Sequence, residues 1–67
     1  MEHVLSKAIL IAKVCELMSA KYGISLAEAR DRLYRSSFID LIDDDETGFY
    51  GESPLYVFSA YEEQSNQ

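Results

Sequence analysis

Asp43, Asp45, Thr47 and Gly48 stand first, third, fifth and sixth in the stretch DDDETGFYGESP, which begins like a calcium loop. Hard-cation binding asks for oxygen ligands at alternate positions and a glycine at the sharp turn. The twelfth position should carry a bidentate Glu, yet Pro54 occupies it and Glu52 falls two places early. Lacking that ligand, the loop is not expected to bind calcium specifically. Cys15 and His3 are each the single residue of their kind. On one helix they would lie roughly 18 Å apart, too far for a thiol–imidazole pair within one chain. One Cys and one His also fall short of a zinc site. Cys15 reads as a small buried hydrophobe and His3 as a solvated residue. No catalytic residue, metal site, cofactor or small-molecule substrate is inferred, so the chain is read as a non-enzyme.

Residues 43–47 also resemble the D-x-D-x-T motif of the haloacid-dehalogenase superfamily, with Asp43 in the nucleophile's place. That family builds its site at the edge of a parallel sheet, and 67 residues leave room for neither sheet nor later motifs. No Lys or Arg follows Arg35 to clamp a phosphate, and the match is coincidental. Two readings of the acids remain. They form a connector of turn residues, with Gly48 and Gly51 supplying positive φ, or a docking patch for something basic. Acids at a helix C-terminus oppose its dipole by about 0.3–1 kcal/mol each, so the preceding helix should stop near Ile42.

The elements that position this loop follow from periodicity. Segment 3–22 is expected to be a long helix, with Val4, Ala8, Ile11, Cys15, Met18 and Tyr22 on one stripe. Leu5, Ile9 and Ala12 widen that stripe, while Leu10, Val14 and Leu17 form a second apolar ridge. Gly23 sits where a C-cap belongs. Segment 25–35 carries the capping box Ser25–Glu28, a buried face of Leu26, Ala29 and Leu33, and the pairs Glu28–Arg32 and Asp31–Arg35. Arg30 lies nearer to Tyr34. A short helix with Ser36 or Ser37 as its cap follows, bearing Phe38, Ile39, Leu41 and Ile42 on one arc. Ser53-Pro54 signals a last helix over Leu55 to Glu63. Because LYVF is rich in strand formers, a small hairpin near 48–58 is the alternative.

These elements make one all-α domain over residues 1–64, a bundle of three to four helices, with a disordered tail at 65–67. Apolar residues at 48% and charged residues at 27% are the mixture of an ordinary globular protein. A single Cys excludes an internal disulfide, and the uncharged run from Ala8 to Ala12 is too short for a secretory core or a membrane span. A cytoplasmic location is the expectation. Charge is divided along the chain: six Lys/Arg against four acids up to residue 35, then eight acids and no cation. The acidic half repels phosphates, so no nucleic-acid partner is expected. A winged-helix reading, with 37–44 as recognition helix and 48–58 as wing, would put Asp40, Asp43 and Asp44 into the major groove.

Aromatics crowd the acidic half, with Phe49, Tyr50, Tyr56, Phe58 and Tyr61 close together. Acidic and aromatic side chains in one place make a protein-binding surface. Its expected members are Asp43, Asp44, Asp45, Glu46, Phe49, Tyr50, Tyr56 and Tyr61. The ridge of Leu10, Val14 and Leu17 is expected to remain uncovered and to form a homodimer interface.

Four motifs carry a resemblance: Tyr22 to Ser25 (YGIS), Tyr34 to Ser36, Asp44 to Gly48, and Ser53 to Tyr56. Across residues 22–64 the chain resembles a group of small, uncharacterised bacterial helical proteins. Such proteins are similar to small subunits encoded in toxin–antitoxin-like gene pairs. The resemblance implies an antitoxin-like or accessory subunit that masks a partner, and it assigns no functional residue. The sequence thus points to a non-enzymatic bacterial protein-binding module, either a homodimer or the ligand of a basic protein, with a winged-helix-like DNA-binding regulator as the alternative.

Overall fold

The structure, a computed structural model, describes residues 2–44 and 46–65, and within them every side chain except those of residues 2–4, 50 and 65. Four helices carry the fold: α1 (Glu2–Tyr22), α2 (Leu26–Arg35), α3 (Phe38–Asp43) and α4 (Pro54–Ser65). A short 3-10 turn spans Phe49–Gly51, and no strand forms among the described residues. The expected all-α bundle is therefore what the chain adopts, and the hairpin near 48–58 does not form. Ser53 decides that competition. Its hydroxyl accepts the Tyr56 amide at 3.2 Å, which starts α4 and carries LYVF into a helix despite its strand propensity. Helix α4 runs through Ser65, the first residue of the expected tail, and residues 66–67 lie outside the described residues.

Local sequence fixes the remaining joints. Gly23 takes φ 67°, and the amides of Gly23 and Ile24 both donate to the Ser19 carbonyl, closing α1. Ser25 accepts the Glu28 amide at 3.1 Å, while the Glu28 carboxylate turns forward to Arg32 at 2.7 Å. Only the forward half of the expected capping box is thus in place. Asp31 pairs with Arg35 at 3.1 Å and Arg30 lies over the Tyr34 ring, as the spacing predicts. Neither serine caps α3 with its side chain. Ser36 instead donates to the Leu33 carbonyl at the end of α2, and Ser37 accepts from Gln64 of α4.

Helix α2 turns back along α1, so that Tyr34 and Ala8 line one groove. Helix α4 runs beside α1 in the same direction: Pro54 lies near Ile9 and Leu10, and Glu62 meets Lys21 and Tyr22. The core draws Leu10, Val14, Cys15 and Met18 from α1, Ala29 and Leu33 from α2, Phe38 and Ile42 from α3, and Val57, Phe58 and Tyr61 from α4. Burying a large apolar side chain of this kind stabilises the fold by roughly 1.5–3 kcal/mol.

This core corrects the expected division of α1. Leu10 and Val14 are buried in the monomer and Leu17 packs against the same core, so these three residues are no open dimer ridge. The exposed apolar side of α1 is the expected core-side extension instead, with Leu5 at 69% and Ile9 at 49% exposure. Helix α1 is apolar almost all round, and packing by α2 on one flank and α4 on the other centres its buried arc on Val14 and Met18. Leu26, expected on the buried face of α2, is likewise exposed.

Candidate partner-binding surface

The acidic loop is a built turn. Helix α3 closes where the Asp44 amide donates to the Asp40 carbonyl, and Lys7 reaches across from α1 to donate to the Asp43 carbonyl at 2.7 Å. A cation at a helix C-terminus offsets part of the dipole opposition that the neighbouring acids impose. Asp44 Oδ1 accepts the Glu46 amide at 2.9 Å, a side-chain turn of the kind Asp favours. Thr47 Oγ1 lies 2.6 Å from the Leu41 carbonyl and 2.8 Å from that of Asp44, and it accepts the Phe49 amide. The hydroxyl at the fifth position of the calcium-like pattern is thus a clasp within the loop. Gly48 supplies the left-handed turn at φ 70°, but Gly51 does not adopt positive φ and simply ends the 3-10 turn.

Beyond the loop, a row of rings runs from core to surface. Tyr61 meets Phe38 edge-on at 5.7 Å, Phe38 stacks on Phe49 at 5.5 Å, and Phe49 leans on Tyr56 at 6.3 Å. Tyr61 is buried, Phe49 half-buried, and Tyr56 is 54% exposed beside the exposed Leu55. Tyr61 therefore leaves the expected partner surface. It is needed in the core to meet Phe38, because so short a chain has few other side chains to fill that space. Asp43, Asp44 and Glu46 are exposed, whereas Asp45 and the side chain of Tyr50 lie outside the described residues. Asp40, Asp44, Glu46 and Glu52 make no ion pair among the described residues.

Glu62, unmarked by any motif, ties α4 to the end of α1. Its Oε2 lies 2.6 Å from Lys21 Nζ and accepts from the Tyr22 hydroxyl at 2.9 Å, while Lys21 also covers the Phe58 ring. These hydrogen bonds, Lys21's foremost, hold the Glu62 carboxyl below its ordinary value. Burial, and then the Glu62 carboxylate, push the Tyr22 phenol up to about 12. In the sequence Glu62 stands only at the start of the polar end EEQSNQ, and nothing there ties it to α1.

Burial also pushes the Cys15 thiol up, against a smaller opposing effect of Arg30, so it is a poor nucleophile. No group of three or more His, Cys, Asp or Glu is placed to hold a metal ion among the described residues. The wing of a winged-helix regulator is replaced by the 3-10 turn and α4, and among the described residues no helix is long and apolar enough to cross a membrane. Compared with known proteins, the chain matches no family model, no curated protein and no solved structure.

Proposed function

We propose that this chain is a non-enzymatic protein-binding module whose working surface is the acidic–aromatic end of the bundle. The partner class is a basic protein segment, in keeping with the antitoxin-like or accessory role implied by the resemblance to small bacterial helical proteins. One observation carries the reading. Leu55 and Tyr56 stay exposed, and Tyr56 leans on Phe49, whose amide is held by Thr47 of the acidic loop, where Asp44 and Glu46 make no ion pair among the described residues. Aromatic side chains supply contact area at low entropic cost, and the surrounding charge selects and steers a cationic partner.

Calorimetric titration with a short Lys/Arg-rich peptide, beside an acidic control, tests this. The basic peptide is expected to bind with an affinity that falls as salt rises, and the acidic one not to bind. Tyr56→Ala and Glu46→Lys should each weaken binding by about tenfold or more. Binding indifferent to both substitutions, or none at low salt, removes the proposal.

A further inference from the structure

We propose that the chain forms a two-fold dimer through the groove between α1 and α2, with α1 of each copy lying on α2 of the other. The groove encloses about 310 Å3, and its lining includes Ala8, Ala12, Glu16, Leu26, Arg30 and Tyr34. Leu26 and Tyr34 are exposed, and Leu5 and Ile9 continue the apolar surface along α1. At helical spacing, residues 5, 8, 9, 12 and 16 fall within one sector of about 100°, so ridge and groove form one face. Ala8 and Ala12 allow a second helix to approach near the close end of the usual ~8–10 Å interaxial range.

The charges identify the occupant. Glu16 makes no ion pair among the described residues, and Arg30 lies over its own Tyr34 ring with no carboxylate partner among them. One acid and one base lining a single groove make it self-complementary. A two-fold axis running along the groove carries the partner subunit's Arg30 over Glu16, and the same operation carries the partner subunit's Glu16 over Arg30. A partner of uniform charge would satisfy one of the two and oppose the other. Size sets the strength expected of it. Side by side, α1 about 30 Å long and α2 about 15 Å long, each ~10 Å wide, present a face of roughly 450 Å2 before side-chain relief is added. That is smaller than the ~800 Å2 per partner of a standard interface and fits a weak dimer that forms at high micromolar concentration. The face shares no residue with the surface of Asp44, Glu46 and Tyr56, so the two proposals fail separately.

Sedimentation equilibrium of the full chain, with helicity followed by circular dichroism, tests the dimer. Wild type is expected to be dimeric at high micromolar concentration. Glu16→Arg and Arg30→Glu should each weaken association by about tenfold or more, and the double exchange should restore it. Ile9→Glu, at an exposed position, should dissociate the dimer while leaving the helicity unchanged. A wild type that stays monomeric overturns the proposal. So does a dimer indifferent to both charge reversals, or a double exchange that fails to restore what each single change removes.

Discussion

Phe38 joins the core to the acidic loop, since it meets Tyr61 in the interior and stacks on Phe49 beneath the loop. Removing it leaves a cavity under the proposed surface, and Phe38→Ala is expected to cost about 3–5 kcal/mol. Total stability for a chain of this length is roughly 3–10 kcal/mol, so this variant should stand near the edge of folding in urea titrations. Tyr56→Ala, at the exposed end of the row, should cost less than ~1 kcal/mol. Equal losses at the two positions would mean that the row is not graded from core to surface. A second residue-scale prediction concerns Tyr22 and Glu62, a pair that needs the phenol protonated and the carboxylate ionised. The raised phenol contributes stability that is complete below its usual 10.0 and lost as pH climbs through about 12. The lowered carboxylate contributes stability that is present above its usual 4.5 and lost as pH falls through its folded value. Urea midpoints measured against pH should therefore fall at both ends. Tyr22→Phe is expected to reduce the alkaline fall, and Glu62→Gln to reduce the acid one. Profiles superimposable on wild type would show that the contact is not maintained in solution.

Between α3 and α4 the chain turns at two glycines that look alike in sequence and behave differently in the fold. Gly48 sits at φ 70°, where a side chain is strained even though space is open, so Gly48→Ala should destabilise by about 1–2 kcal/mol. Gly51 has an ordinary φ, and a methyl group there would meet only open space. Gly51→Ala should therefore be neutral or stabilise by up to about 1 kcal/mol. Thermal or urea unfolding of the two variants checks this, and a larger loss at Gly51 would contradict the turn. The helix limits were legible because Gly23, Ser25 and Ser53-Pro54 act locally, each through one or two backbone hydrogen bonds. The choice of buried face was not legible for α1. Its apolar residues occupy most of its circumference, and only the positions of α2 and α4 select Leu10 and Val14 over Leu5 and Ile9. Much the same holds at the candidate surface. Composition gathered acids and rings into one stretch, but burial of Tyr61 and exposure of Tyr56 depend on where Phe38 and Phe49 come to rest.

At the scale of the whole molecule, a net charge of -6 is spread over a body measuring 32 × 24 × 19 Å. The Debye length is about 30 Å at 0.01 M salt and about 8 Å at 0.15 M. At low salt nearly every charge therefore senses every other, whereas at physiological salt repulsion is confined to near neighbours. Asp40, Asp44, Glu46 and Glu52 fall within thirteen consecutive positions and make no ion pairs among the described residues, while every Lys and Arg lies in the first 35 residues. Self-repulsion of this kind destabilises a compact state. The urea midpoint is thus expected to rise as salt is raised from about 0.01 to about 0.15 M, opposite to what a fold held by surface ion pairs would show. Glu46→Lys should raise stability at low salt by about 0.5–1 kcal/mol and flatten its salt dependence. The same substitution is expected to weaken binding of the basic peptide. That combination would mark the acids as kept for recognition at a cost in stability, which is the usual relation between a working surface and the fold beneath it. If Glu46→Lys instead destabilised the chain at low salt, the acids would be structural and the partner surface would have to be sought elsewhere.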